Sequence, residues 1–222
     1  MLVFEKKPKS AVSEYYRTLR TNIEYSTFDI KLRTILVTSA ECNEGKSTVC
    51  GNMALSFAEN DKKVLLIDCD LRNPSLHKLF NISNGYGLSD VLIGSKEMNE
   101  AAISYNNNLD ILISGKIPPN PAKLIESKAL EHLLEVSKEK YDLIILDSSS
   151  INIVADSQIL ATKTDGTLLV VKKDKTKIES VKEAKKRLEK VEANLIGCVF
   201  NCVEGPSKKE YAYYNELQVA KV

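Results

Sequence analysis

The sequence predicts an α/β fold, a mostly parallel sheet flanked by helices on both faces, and three observations carry that reading. Short, almost continuously apolar runs recur at 34–38 (TILVT), 64–67 (VLLI), 109–113 (LDILI), 143–146 (LIIL), 168–171 (LLVV) and 195–200 (LIGCVF). Strands buried on both faces read this way. Polar stretches with helical spacing lie between the runs, and strands alternating with helices call for right-handed crossovers onto a parallel sheet. The 222 residues suffice for one domain with a substantial core.

Taken in order, the first predicted element is a helix over about 11–27, ahead of the first strand. Glu14, Arg17 and Arg20 stand three apart and so share one side of it. The strand at 34–38 leads into SAECNEGKST and a helix over 47–60 carrying Val49, Met53, Leu55, Phe57 and Ala58. The second strand ends in Asp68 and Asp70, with Arg72 two residues on. A helix over 122–138 is expected from Leu124, Ile125, Leu130, Leu133, Leu134 and Val136. The fourth apolar run ends in Asp147 and three serines, and Asp156 is placed to cap a helix over 155–162. A helix over 177–191 precedes the last strand, which Asn201 closes. A tail over about 204–222 holds Tyr211, Tyr213 and Tyr214.

The chemistry concentrates at 40–48. Ala40, Glu41, Cys42, Asn43, Glu44, Gly45, Lys46 and Ser47 fit the phosphate-binding loop G-x-x-x-x-G-K-[ST], with Ala40 where the first glycine is usual, and Thr48 continues into the helix. Successive backbone N–H groups curl around phosphate oxygens there, and the helix N-terminus adds its positive dipole. Lys46 reaches the outer phosphates and the Ser47 hydroxyl ligates Mg²⁺. Asn43 stands where a glycine is expected, and asparagine tolerates positive φ better than most residues. The loop makes the fold P-loop NTPase-like, with ATP and Mg²⁺ as its ligands.

Acids at the C-terminal ends of parallel strands line the ligand crevice. Asp68 and Asp70 can divide the work of holding the metal and accepting a hydroxyl proton. Asp147, after four apolar residues, fits a Walker-B acid that positions Mg²⁺ or its waters. Asn201 offers an amide that can read a base edge, or can simply form a turn. His77 and His132 are isolated and read as surface helix residues.

Composition removes other classes. The net charge is +1, from 31 Lys and Arg against 30 Asp and Glu, so a general nucleic-acid-coating surface is not expected. No run reaches the length of a membrane span, and MLVFEKKPKS lacks the apolar core of a signal peptide. A cytoplasmic location is expected, with the five cysteines (Cys42, Cys50, Cys69, Cys198 and Cys202) read as buried thiols.

Together these motifs resemble the bacterial tyrosine kinases, in particular the cytoplasmic kinase subunits of capsular and exopolysaccharide systems in Gram-positive bacteria. That family carries a loop close to TSxxPGEGKST, apolar residues followed by DxDxR, and an apolar run ending in DxP. Here they stand at 38–48, 65–72 and 143–149, with DxDxR complete at Asp68, Asp70 and Arg72. Cys42-Asn43 replaces Pro-Gly, and Ser149 and Ser150 replace prolines. Glu14, Arg17 and Arg20 match the family's ExxRxxR ring-forming helix, and the tyrosine tail resembles its autophosphorylated cluster. The resemblance implies γ-phosphoryl transfer from ATP to Tyr211, Tyr213 and Tyr214 of an adjacent subunit. Lys46 would neutralise developing charge. Ser47, Asp70 and Asp147 would hold Mg²⁺, and Asp68 would accept the tyrosyl proton, the two Walker-A′ acids being interchangeable at this level. It further implies a homo-oligomeric ring, a membrane adaptor of the polysaccharide co-polymerase type acting through its cytoplasmic tail, recruitment to the inner face of the membrane, and a cognate tyrosine phosphatase.

Two other readings remain open on the sequence. One is a nucleotide-switched ATPase of the partition or division-site type, though Glu41 stands where that class places a signature lysine. The other is a weakly active or inactive nucleotide-binding scaffold for a polysaccharide exporter.

Overall fold

The computed structural model describes residues 2–26 and 32–204. Its strands are β1 (Thr34–Ser39), β2 (Val64–Asp68), β3 (Ile103–Asn106), β4 (Leu109–Leu112), β5 (Leu143–Ser150), β6 (Gly166–Lys172) and β7 (Leu195–Asn201). Its helices are α1 (Val3–Lys6), α2 (Ala11–Ser26), α3 (Lys46–Glu59), α4 (Leu76–Leu79), α5 (Leu88–Leu92), α6 (Met98–Ala101), α7 (Pro121–Glu126), α8 (Lys128–Lys140), α9 (Asp156–Ala161) and α10 (Ile178–Glu189). The seven strands form one sheet in the order β3-β4-β2-β5-β1-β6-β7. Only the β3–β4 pair is antiparallel; the other pairings are parallel. The expected α/β architecture is therefore present, with β3 as an added edge.

Alternation along each central strand divides the core into two layers. Ile35, Val37, Leu66 and Ile145 pack with Met53 and Phe57 of α3 on one face. Leu36, Leu65, Leu146 and Leu169 pack with Leu130 of α8, Leu160 of α9 and Leu188 of α10 on the other. Both faces of β1, β2 and β5 are thus dry, which is why their sequences read as unbroken apolar runs.

Three features of the fold differ from the sequence reading. The helix expected over 122–138 is two helices: Ser127 adopts an extended ψ of 150° between them, and its Oγ caps α8 by accepting from Leu130 N. Strand β5 continues past Asp147 to Ser150. Serines permit this because, unlike prolines, they keep their N–H groups. The Ser148 hydroxyl also donates to the Val37 carbonyl at 2.9 Å, and the Thr38 hydroxyl donates to the Ser149 carbonyl at 2.8 Å. Of the five cysteines only Cys50 and Cys69 are buried; Cys42 lies on a loop, and Cys198 and Cys202 are exposed because β7 is an edge strand. The start of the chain also joins the core. Leu2 and Phe4 are buried against α3, and Phe4 N donates to Asn52 Oδ1 at 2.9 Å. Gly51 makes room for this: a Cβ there would lie 2.9 Å from Leu2 Cδ1.

Helix α2 lies along α3 and brings its charged side onto it. Arg17 forms a bidentate pair with Glu59, at 2.8 and 2.7 Å, and also donates to Glu14 at 2.6 Å. Its guanidinium sits 4.9 Å from the centre of the Phe4 ring. Arg20 donates to the Ser56 carbonyl at 2.5 Å. Cations here suit the C-terminal end of α3, where carbonyls lack helical partners. Phe4 thus carries both core packing and the seat of Arg17. Phe4→Ala should lower unfolding free energy by about 3 kcal/mol, read as a reduced midpoint in urea denaturation; a midpoint unchanged from wild type would show that the N-terminal segment is not part of the cooperative core.

Candidate active site

The loop between β1 and α3 adopts the conformation that phosphate binding requires. Asn43 has φ 60° and Gly45 has φ 89°, both left-handed. Gly45 is obligatory twice over, since a Cβ would also meet Asn201 Nδ2 at 2.1 Å. Ala40, in place of the usual first glycine, is fully buried and has no positive φ, so the side chain costs nothing in backbone strain. Helix α3 begins at Lys46, so the N–H groups of Lys46, Ser47 and Thr48 have no acceptor within the helix. Glu44, by contrast, is fully buried: it accepts from Glu41 N at 3.0 Å and from the Thr176 hydroxyl. The loop offers backbone, not acid side chains, to an anion. Lys46 is 9 % exposed and donates to Ser150 Oγ at 3.2 Å.

Facing the loop is an acid cluster set by strand register. Asp68 ends β2 directly beside Asp147 of β5, and both are fully buried. Asp68 Oδ2 accepts from Ser75 N and Leu76 N, each at 3.0 Å, and its Oδ1 accepts from Asp70 N at 3.3 Å. Asp147 Oδ1 receives the weak Cys50 thiol donor at 3.5 Å, the Ser47 hydroxyl and the Lys46 charge lie near enough to favour the carboxylate, and its Oδ2 is buried without a hydrogen-bond partner. Burial, before any other cause, pushes Asp147 up to about 7. Burial and then the Asp147 charge push Asp68 upward too. A buried carboxylate oxygen without a donor is costly unless a cation completes it. With Ser47 beside it, the hard oxygen set fits Mg²⁺. The Ser47 hydroxyl meets the Ser75 hydroxyl at 2.6 Å.

Burial distinguishes Asp68 from Asp70. Asp68 has no exposed surface and its oxygens serve the turn that follows β2. Asp70 is the one that lines the cleft, a space of about 370 Å³ shared with Lys46, Ser47, Arg72, Ser150 and Ile153. Burial raises the Asp70 carboxyl despite an Asn73 N–H donated at 3.0 Å. Arg72 pairs with Asp156 at 2.8 and 3.2 Å. Asp156 is therefore not the cap of α9: the cap position is Ala155, and the Asp156 carboxylate is spent on Arg72. Asn201 is engaged with the loop and with its own turn. Its Nδ2 donates to the Glu44 carbonyl at 2.8 Å and its Oδ1 accepts from Cys202 N.

Sequence reasoning overlooked the side chains that brace the loop from the β6–α10 connection. Lys175 donates to the Cys42 carbonyl at 2.6 Å, and Ser180 donates to Glu41 Oε1 at 2.6 Å. No motif marks them; only their distance in space from the loop does. Buried Cys50 and Cys69 are held as neutral thiols, since burial pushes both well upward. Tyr211, Tyr213 and Tyr214 lie outside the described residues.

Comparison with known proteins agrees with this geometry. Residues 32–197 match the AAA domain family model. Tyrosine-protein kinase YwqD of Bacillus subtilis is 43 % identical over 209 residues, covering 94 % of this chain and 88 % of that one. Among solved structures, the kinase domain of Escherichia coli tyrosine kinase ETK superposes with a TM-score of 0.89 at 30 % identity, covering 94 % of this chain and 82 % of that one. The chimerical protein CapA2B2 gives 0.87 at 35 %, covering 91 % and 89 %. The septum site-determining protein MinD of Pyrococcus horikoshii, at 21 % identity and a TM-score of 0.64, shares the fold alone. Glu41, at the position of that class's signature lysine, is held by Ser180 in this chain.

The raised acids give stability a definite pH dependence. Asp147 has an ordinary value of 3.8 and a folded value of about 7, so between these the folded state binds more protons than the unfolded one. Stability without metal is then lost as pH rises through that window. Thermal melts from pH 5 to 8 should show a falling Tm, with Mg²⁺ restoring most at pH 8. Asp147→Asn should flatten the slope, raise the metal-free Tm at pH 8 and remove the Mg²⁺ effect. A variant less stable than wild type at pH 8 would refute the orphaned-acid reading.

Proposed function

The chain belongs to the bacterial tyrosine-protein kinase family, and on that premise we propose that it transfers the γ-phosphoryl group of ATP, with Mg²⁺, to tyrosines Tyr211, Tyr213 and Tyr214 of a neighbouring copy. One observation carries the reading: Asp147, a buried acid with one oxygen that no donor reaches, stands beside a loop whose Asn43 and Gly45 take the left-handed φ that suits an anion. Bound there, Mg²⁺ supplies charge neutralisation to the β- and γ-phosphate oxygens. Ser47, Asp147 and, behind them, Asp68 are the residues that would hold the ion and its waters.

The chain's own groups account for the rest. The N–H groups of the loop and of the α3 N-terminus bind the phosphates. Lys46 offsets the charge that grows on the bridging oxygen as its bond to the γ-phosphorus breaks. Asp70, the acid at the cleft, takes the tyrosyl proton as the new oxygen–phosphorus bond forms. Its raised value suits it to the task, because a base with a pKa nearer the working pH transfers protons more effectively. Arg72, fixed by Asp156, holds the turn that carries Asp70.

Around this core we place the partners implied by the family resemblance. Glu14, Arg17 and Arg20 contribute to a ring of copies, a membrane adaptor of the co-polymerase type activates the kinase through its cytoplasmic tail, and a tyrosine phosphatase reverses the reaction. The process served is capsular or exopolysaccharide synthesis at the inner face of the membrane. No helix among the described residues is long and apolar enough to cross a membrane.

Intact-mass spectrometry after incubation with ATP and Mg²⁺, with and without the candidate adaptor tail, tests the assignment. Wild type should gain phosphate units, while Lys46→Met and the triple Phe variant at Tyr211, Tyr213 and Tyr214 should gain none. ATP binding without any mass gain would favour the switch-ATPase reading instead. Asp70→Asn should cut kcat at pH 8 by about a hundredfold or more. In wild type the rate should fall as pH drops through the raised Asp70 value, since the protonated acid cannot accept; an acid limb that persists in Asp70→Asn would move the base elsewhere.

A further inference from the structure

The phosphate loop is fastened from outside at two of its carbonyls. Lys175, in the turn after β6, donates from Nζ to the Cys42 carbonyl at 2.6 Å. Asn201, at the end of β7, donates from Nδ2 to the Glu44 carbonyl at 2.8 Å. In a trans peptide unit the C=O of one residue and the N–H of the next point in opposite directions, and the described chain has no cis peptide. Fixing the Cys42 carbonyl therefore turns the Asn43 N–H away from Lys175. Fixing the Glu44 carbonyl turns the Gly45 N–H away from Asn201. Asn43 and Gly45 are the loop's two left-handed residues, and both line the cleft. Left-handed residues in such a turn make successive N–H groups converge on one anion.

We propose that Lys175 and Asn201 are positioning residues of the nucleotide site, orienting the peptide units 42–43 and 44–45 so that their N–H groups face the phosphates. The inference rests on the ATP-site reading and deepens it. It also accounts for the sequence of the loop. Ala40 and Asn43 stand where glycines are usual, so the loop is not shaped by glycine content alone; donors from β7 and the β6–α10 turn fix the peptide planes instead. Neither residue needs to touch the nucleotide. Thr176 and Ser180 add to the same brace through the carboxylates of Glu44 and Glu41.

The test compares Lys175→Met, Lys175→Arg and Asn201→Ala in the full chain by titration with fluorescent ADP and Mg²⁺, beside thermal melts of the nucleotide-free proteins. Lys175→Met and Asn201→Ala should each weaken ADP about fivefold to tenfold, the worth of one hydrogen bond, with the nucleotide-free Tm held. Lys175→Arg should recover most of the affinity, and in autophosphorylation the loss should fall on KM for ATP rather than on kcat. Because Asn201 is neutral, its effect should persist at high salt. Wild-type ADP affinity in Lys175→Met would overturn the proposal. So would a loss confined to Lys175 that vanishes at high salt, which marks a through-space charge. Failure of the kinase reading would appear separately, as ADP binding without phosphate transfer, and would leave this readout intact.

Discussion

Two carboxylates placed side by side in a dry sheet are the constraint around which the rest of the molecule is arranged. The parallel register of β2 and β5 sets Asp68 against Asp147, and the apolar strands beneath them keep water out. Like charges at such a spacing cannot both be ionised cheaply without a counter-ion. The chain relieves Asp68 with three backbone N–H donors and leaves one oxygen of Asp147 without a donor. The folded state without ligand is thus less stable than its core would allow, and binding a cation recovers the difference as affinity. That is the form a nucleotide-dependent enzyme takes when stability and function compete for the same residues.

The departures from the family's motifs look severe as letters and mild as geometry. Ser149 and Ser150 replace prolines, yet they let β5 run on to a bulge opposite β1. Ser150 then gives Lys46 a neutral acceptor, which leaves the lysine's charge available to phosphates. Cys42-Asn43 replaces Pro-Gly, yet asparagine takes the left-handed φ that the glycine would have taken. Asn43 keeps the φ sign that the loop uses, and Ser150 adds an acceptor that a proline could not offer.

Much of this was legible beforehand because it is written in local patterns. The parallel strands show as apolar runs, and Gly45-Lys46-Ser47 after the first of them marks the anion site. The misses share a cause. Ser127 breaks a helix that hydrophobic spacing draws as continuous, because spacing records burial and not ψ. The exposure of Cys198 depends on β7 being an edge, which is a matter of strand order. Asp156 was readable as a cap by position but is claimed by Arg72, a residue 84 places away. Lys175 and Ser180 carry no signature at all, since their contacts with the loop span more than 130 positions. The order of Asp68 and Asp70 was undecidable for the same reason: burial, not spacing, separates them.

The N-terminal helix already engages, within the chain, the side chains that the proposed ring would use. Arg17 is committed within the chain to a bidentate pair with Glu59, a bond to Glu14 and a place over Phe4. The proposed assembly through Glu14, Arg17 and Arg20 would have to exchange these contacts for others across a subunit boundary. Such an exchange of one partly exposed ion pair for another gains little by itself, since pairs of this kind contribute about 0–1 kcal/mol. Most of the driving force for a ring must then come from surfaces beyond these residues, or from ligands bound more tightly by the assembled form. An interface built this way dissociates readily when charge is added nearby, and each phosphotyrosine brings about −1.5 to −2 charges. The weak intrinsic gain is therefore what the proposed reversible assembly would require: a ring held by strong, dedicated contacts would not respond to phosphorylation of its own copies.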